Sequence, residues 1–431
     1  MLRISKPWIE HKGDEYFLLA DIIDGCRDKT FRIWYSVKEE YGKYLSDDRL
    51  DGFLLNSLVY AMKSGQDIEL GAPVSPKLLH NIHNTLQPLF KEVMSDGKII
   101  TIYTPSYTEP LEEYKGNAVG CGCSLGVDSM ASLLSHLEDG IATGYKVTHL
   151  ALFNSCQFGY VDLEQTEKSF RQGIEKIRPF SEYTELPILA IDTNLNELYI
   201  GVDVRLTMRF ILSTLSCPMA VQKLIGKYIY ASSYSVIDFE LSHLDYSHFE
   251  SAFVPLLGTE SLEVILSNPT MTRVDKTKYI SKFPLTPKFL DVCCADQKAN
   301  GFWKDRRWLD GKEKINCGWC EKCLRTLFTL ELLGKLDEYN SVFQIENYRK
   351  NRESFILNVV LNHKTDIFCK EIFNLMNDVG FELPMSVKRA VRRQRIKNLL
   401  PTKGKFKGAD LKSIRHRLIS FFKARTRKEP K

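Results

Sequence analysis

Apolar positions along the first hundred residues recur in two different periods. Tyr16 to Ile23 and Thr30 to Tyr35 are rich in aromatic and β-branched residues and predict strands. Further on the spacing lengthens: Leu50, Phe53, Leu54, Leu58, Ala61 and Met62 fall on one helical face, and Gly65 follows as a stop. Ser75-Pro76 supplies an N-cap and a first-turn proline, so a helix is expected from there toward Met94, kinked at Pro88. Lys98 to Thr104 reads as a strand. Pro105 to Lys115 is polar and turn-rich and reads as a linker, which makes residues 1–115 an N-terminal α+β domain.

From Gly116 the rhythm becomes β-α-β-α. Strands are expected at Asn117 to Gly122, Val147 to Phe153, Pro187 to Asp192 and Lys227 to Ala231. Helices are expected around Ser129 to Leu137, Glu164 to Ile177 and Arg205 to Leu224. This alternation predicts an α/β fold, a parallel sheet with helices on both faces, and ligands beyond the C-terminal strand ends. A helix after Cys323 runs to Leu333 and closes at Gly334. A helical extension over 336–385 and a basic tail over 386–431 complete the chain, and no fixed-period repeat is present.

The segment with most chemistry is Val119-Gly120-Cys121-Gly122-Cys123-Ser124-Leu125-Gly126-Val127-Asp128-Ser129, followed by an apolar helical run. Unpaired N–H groups and the dipole at a helix start favour an anion. Gly126 admits close approach of a phosphate, and Ser124 and Ser129 offer hydroxyl donors. Asp128 would repel phosphate unless a cation intervened, which suggests Mg²⁺. A second signal is Cys317-Gly318-Trp319-Cys320-Glu321-Lys322-Cys323, with Cys293 and Cys294 upstream to supply a fourth thiolate. Four thiolates suit structural Zn²⁺, and the same spacing also suits an iron–sulfur cluster.

Ser-x-Gly-x-Asp-Ser between a strand and a helix resembles the signature of the PP-loop (N-type) ATP pyrophosphatase superfamily, with Leu125 standing where the signature has a second glycine. The resemblance covers residues 116–335. Together with Cys…Cys-Gly-x-Cys-x-x-Cys it is most similar to the 7-cyano-7-deazaguanine synthase branch, in which four cysteines bind zinc. Here those positions match Cys317, Cys320, Cys323 and, by the Leu290-Asp291-Val292-Cys293 approach, Cys293. The longer interval before Cys317 implies an inserted loop carrying Trp303 and Trp308.

The resemblance implies an ATP-dependent synthase or ligase. ATP binds at Ser124, Leu125, Gly126, Val127, Asp128 and Ser129, with Mg²⁺. An oxygen on a second substrate attacks the α-phosphate, pyrophosphate leaves, and a nitrogen nucleophile displaces AMP. Asn154 and Ser155, with Asp192-Thr193 and Ser232-Ser233-Tyr234, lie at expected strand ends and join the pocket. Arg273 and Lys276 are candidates to neutralise charge developing on the α-phosphate and join Asp128 in the expected catalytic set, while Asp245, Thr259 and Glu260 are candidates to meet the second substrate. Residues 1–115 and the C-terminal region exceed what the synthase needs. This implies a paralogue with another acceptor, of the kind associated with bacterial antiphage systems. Two alternatives stand beside it: a tRNA-modifying sulfur transferase and a non-catalytic ATP-binding subunit.

Composition narrows the setting. The hydrophobic fraction of 44% and charged fraction of 26% are those of an ordinary soluble protein. Met1 to Tyr16 lacks the apolar core of a signal peptide, and Leu206 to Val221 is short and interrupted by Arg209, so a cytoplasmic, non-transmembrane protein is expected. The eleven cysteines then read as thiols or metal ligands, with Cys121 and Cys123 packed beneath the loop. The net charge of +5 hides 17 basic residues against Asp410 and Glu429 in the tail, a local +15. The body is therefore −10, and any anionic partner is expected at the tail. Oligomeric state is left open.

Overall fold

The structure, a computed structural model, describes residues 1–105, 113–138, 144–158, 163–294 and 314–399. The N-terminal apolar runs form β1 (Leu2–Ile4), β2 (Trp8–Lys12), β3 (Glu15–Asp24) and β4 (Lys29–Lys38). β3 pairs antiparallel with β1, β2 and β4. Short β5 (Ile68–Leu70) runs parallel to β1, and β6 (Ile102–Tyr103) parallel to β5. In the β3–β4 register Leu18 faces Tyr35, Ala20 faces Ile33 and Ile22 faces Phe31, so these six share one buried face. That face meets the helix Asp51–Ser64, where Phe53 lies edge-on to Tyr35 at 5.1 Å.

The Asp51–Ser64 helix is buried almost all round, beyond the single face its spacing predicts, because the helix Leu206–Ala220 packs on its other side. Ser213 Oγ donates to Asn56 Oδ1 at 2.7 Å across that contact. Gly65 ends the helix at φ 65, a left-handed cap that costs a side-chain-free residue little.

Two expectations for this region change. The helix opened by Ser75 passes through a widened π-turn at Ile82–Leu86 before resuming at Gln87–Val93, so the irregularity precedes Pro88, which sits in the first turn of the new segment. Of Lys98 to Thr104 only β6 is strand. The Gln87 side chain takes the place of a neighbouring strand there, accepting the Ile100 N–H at 2.8 Å and donating to its carbonyl at 3.1 Å.

The second half supplies β7 (Ala118–Gly122), β8 (His149–Phe153), β9 (Ile188–Thr193), β10 (Ile225–Ala231) and β11 (Glu263–Ser267), the last not singled out by the sequence pattern. All four pairings among them are parallel, in spatial order β9-β8-β7-β10-β11. Numbered by appearance this is 3-2-1-4-5, a doubly wound α/β arrangement. Its switch point, where a crevice opens beyond the strand ends, falls between β7 and β10.

Residues 1–115 do not form a body of their own. β4 pairs antiparallel with β9 through Tyr35–Thr193 and Ser36–Asp192, giving one eleven-stranded sheet. Asn194 seals the seam: its Oδ1 accepts the Trp34 N–H and its Nδ2 donates to the Arg32 carbonyl, each at 2.8 Å. The pairing covers two edges that would otherwise expose unpaired backbone groups. Contacts group Met1–Arg349 as one compact unit and Lys350–Lys431 as another, so the expected boundaries at 115 and 335 separate no bodies.

In the second unit the helix Ile367–Asp378 is capped by Asp366, whose carboxylate accepts the Cys369 N–H at 2.7 Å. The helix Met385–Leu399 carries the first basic residues of the tail. Residues 400–431 and the inserted loop with Trp303 and Trp308 lie outside the described residues. Among the described residues no helix is long and apolar enough to cross a membrane.

Candidate functional site

The chain leaves β7 through a Cys123 N–H that still pairs with the Ala151 carbonyl at 2.9 Å. It then turns at Ser124–Gly126 into the helix Val127–Glu138. Ser124 Oγ donates to Ser129 Oγ at 3.1 Å and accepts the Gly126 N–H at 3.3 Å, while Ser129 Oγ donates to the Gly126 carbonyl at 3.3 Å. The turn requires positive φ at Leu125, which sits at φ 60 with its side chain 2% exposed. An L-residue there costs about 1–2 kcal/mol. Burial of the leucine side chain offsets that cost and, as the sequence requires, turns the side chain away from the loop mouth. Val127 is buried beneath the helix start.

Asp128, one residue into the helix, meets two cations from a different element. Arg273 Nη2 lies 2.7 Å from Asp128 Oδ2 and Lys276 Nζ lies 3.4 Å from Oδ1. Both belong to the helix Arg273–Ile280, which begins in a capping box between Thr272 and Asp275. Three-residue spacing puts them on one face. Lys276 is 1% exposed and also donates to the Ser232 carbonyl at 2.6 Å and to Ser232 Oγ at 2.9 Å. Burial lowers its pKa, and the Asp128 carboxylate opposes the shift. One carboxylate against two cations leaves a positive charge beside the loop, suited to an anion.

Ser232 and Ser233 follow β10 directly across the switch point. Behind them lies Glu250, buried, which accepts the Ser233 N–H in a very short hydrogen bond and the Ser233 hydroxyl at 3.3 Å. Burial pushes its carboxyl up to about 8 from an ordinary 4.5, with Ser233 and Lys276 pulling the other way. Folding therefore favours the protonated acid. Its contribution to stability is fully present below about 4.5, declines as pH rises toward about 8, and is level above. Glu250→Gln is expected to remove this slope: urea midpoints taken at about pH 5 and about pH 8.5 will show the variant gaining on wild type at the higher pH. An unchanged difference between the two proteins would refute the assignment.

The other strand-end candidates lie deeper. Asn154 Nδ2 donates to Asp192 Oδ1 at 2.7 Å, and the Thr193 hydroxyl donates to the Asn154 carbonyl at 2.7 Å, so these three lock the ends of β8 and β9 together. Burial pushes the Asp192 carboxyl up to about 6. Ser155 is fully buried, its hydroxyl shared with Thr214 Oγ1 at 2.8 Å, and it serves packing beneath the crevice instead of lining it.

The residues expected to meet a second substrate separate. Asp245 accepts the Tyr234 hydroxyl at 3.1 Å near the end of β10. Thr259 donates to Gln222 Oε1 at 2.8 Å, Gln222 donating in turn to Asp51, and Glu260 accepts the Lys77 N–H at 2.8 Å, so both brace N-terminal helices. Cys121 and Cys123 are buried below the loop as expected. Burial pushes the Cys121 thiol well up and the Cys123 thiol to about 12, which leaves neither nucleophilic.

The metal centre assembles from two arms. Cys293, Cys317, Cys320 and Cys323 bring their sulfurs within 4.8 Å of one another. Cys317 and Cys323 stand 3.9 Å apart and Cys293 and Cys320 4.0 Å apart. Four sulfurs at about 2.3 Å from one ion lie about 3.8 Å apart along tetrahedral edges, so the set can hold a metal ion. Cys294 approaches Cys320 at 3.8 Å but stays outside the mutual cluster. Cys317 Sγ accepts the N–H groups of Trp319 at 3.5 Å and Cys320 at 3.3 Å, which favours its thiolate form. Gly318 makes that knuckle at φ 75, where a Cβ would stand 2.2 Å from the Gln344 carbonyl oxygen.

Sequence reasoning missed Glu250, Lys176 and Asp291. Lys176, on the helix Leu163–Thr184, donates to the Ser124 carbonyl at 3.4 Å and pairs with Asp291 at 2.6 Å. Glu250 had a faint signal, a single acid between Phe249 and the apolar run from Ala252. Comparison with protein-family models, with curated proteins and with solved structures finds no match to this chain.

Proposed function

We propose that this protein binds ATP at the 124–129 loop and splits it to AMP and pyrophosphate, adenylating a carboxylate or carbonyl oxygen of a second substrate before attack by a nitrogen nucleophile. The observation that carries the reading is the convergence of Asp128, Arg273 and Lys276 on the helix start at the switch point. The loop amides and the Ser124 and Ser129 hydroxyls bind the terminal phosphates. Arg273 and Lys276 offset charge developing at the α-phosphate, in a site where fixed donors need no reorganisation. Each Asp128 oxygen keeps lone-pair capacity beyond its cation partner, so the carboxylate fits Mg²⁺ bound with the polyphosphate; the ion would neutralise phosphate charge.

The four cysteines fit Zn²⁺ in a closed structural site. Their ion has no open position for chemistry. It would fix the helix Glu321–Leu332, which packs on the helix carrying Arg273 and Lys276. The inert Cys121 and Cys123 thiols disfavour the sulfur-transfer alternative.

The test is α-labelled ATP with Mg²⁺ and purified protein, with and without an extract of the host, and Asp128→Ala as control. AMP that depends on Asp128 and on the extract is the expected result. ADP would contradict the reading.

A further inference from the structure

Asp291 touches both halves of the site. Its backbone N–H donates to the Leu125 carbonyl at 2.8 Å, which holds the left-handed peptide of the loop. Its carboxylate, with a side chain 1% exposed, pairs with Lys176 at 2.6 Å, and Lys176 in turn donates to the Ser124 carbonyl at 3.4 Å. The other carboxylate oxygen accepts the N–H of Cys293 at 3.3 Å. The next link is the metal ligand itself. Asn316, directly before Cys317, clasps the same arm: its Oδ1 accepts the N–H groups of Val292 at 2.8 Å and Cys293 at 3.1 Å, and its Nδ2 donates to the Leu290 carbonyl at 2.8 Å. Only Asp291 and Val292 separate that carbonyl from Cys293.

We propose that Asp291 is a positioning residue that couples the four-cysteine centre to the phosphate loop. With a metal ion bound, Cys293 would be fixed and the Leu290–Cys293 arm held in one place, so that Asp291 holds the Leu125 carbonyl through its own N–H and the Ser124 carbonyl through Lys176. Without the ion, the arm keeps only its hydrogen bonds and the Leu125 peptide loses a fixed partner for its strained φ. Coupling between two sites is reciprocal. An anion that orders the loop therefore also tightens binding of the metal. The ligand side of this inference rests on the ATP reading above; the mechanical side does not.

The experiment uses the full chain, wild type and Asp291→Asn, each zinc-loaded and chelator-stripped. Three quantities are read: amide hydrogen exchange over residues 123–130, ATP affinity by calorimetry, and zinc affinity by competition with a colorimetric chelator, with and without ATP. In wild type, stripping is expected to speed exchange in the loop and weaken ATP binding roughly 5–150-fold, and ATP is expected to tighten zinc binding by the same factor. Zinc-loaded Asp291→Asn is expected to keep its metal, show faster loop exchange already through loss of the Lys176 ion pair, and show a reduced effect of ATP on zinc affinity.

Loop exchange that ignores the metal in wild type overturns the coupling, and an Asn variant that matches wild type overturns the part assigned to the Asp291 carboxylate, because the backbone bond to Leu125 survives the substitution. Loop exchange that follows the metal while neither protein binds ATP upholds the coupling and removes the ATP reading. Should stripping unfold the chain, as far-UV circular dichroism would reveal, the zinc-loaded Asn variant decides alone.

Discussion

Lys276→Met is expected to reduce ATP-dependent AMP formation by about 10²–10³-fold or more, the range seen when a fixed charge-stabilising donor is removed. Methionine keeps the length of the side chain and its packing, so the loss isolates the ammonium. Three acceptors lose a partner at once: Asp128 Oδ1, the Ser232 carbonyl and Ser232 Oγ. Asp128 is partly exposed and keeps Arg273, so the fall in stability comes from the unpaired Ser232 acceptors, about 1–3 kcal/mol for a buried acceptor left without a donor. The urea midpoint of Lys276→Met is read beside its AMP formation, so that loss of folded protein is separated from loss of chemistry. Activity within about threefold of wild type in Lys276→Met would rule out the ammonium as a stabiliser of the reaction.

Cys323→Ala is expected to abolish stoichiometric metal and to destabilise the chain strongly. Cys323 is fully buried at the start of the Glu321–Leu332 helix, and its removal leaves three thiolates gathered without the ion that offsets their charge. Structural zinc contributes up to about 10–16 kcal/mol of binding free energy in small zinc domains at neutral pH, an upper bound for a protein with its own large core. Elemental analysis and a thermal melt read the outcome. Cys293→Ala is expected to behave the same way, and Cys294→Ala to retain one ion per chain. Full metal in Cys293→Ala together with loss in Cys294→Ala would exchange the two ligands. A colourless wild-type protein carrying zinc is expected; broad visible absorption would point to an iron–sulfur cluster.

The four-cysteine cluster was largely legible from sequence because three of its members sit within seven residues, where spacing alone nearly forces proximity. Choosing between Cys293 and Cys294 was harder, since neighbouring residues differ only in side-chain direction, which spacing does not encode. The loop was legible for a similar reason: strand, small residues and helix are contiguous. Arg273 and Lys276 could be named as candidates, but their meeting with Asp128 depends on how the Arg273–Ile280 helix packs on the Val127–Glu138 helix. Lys176 and Asp291 gave no warning, being ordinary charged residues whose roles arise from long-range contact.

The change of rhythm at Gly116 does mark the start of the parallel strands. Hydrophobic period, however, cannot say which sheet edges meet, and the β4–β9 pairing erased the expected domain boundary. The reduced β6 shows the converse. A β-rich run was present, but the amide of Gln87 had taken over backbone groups at Ile100.

The β4–β9 seam also sets a timetable for synthesis. Trp34 is bonded to Asn194, a separation of 160 residues. At translation rates of about 5–20 residues per second, β4 waits roughly 8–30 s on the ribosome before its partner strand exists. Through that interval the nascent N-terminal strands carry an open edge next to Trp34 and Tyr35, a template for pairing with a neighbouring chain. Yield of native protein is thus tied to elongation speed and to whatever shields the nascent edge, and slow codons between residues 38 and 188 would lengthen the exposure.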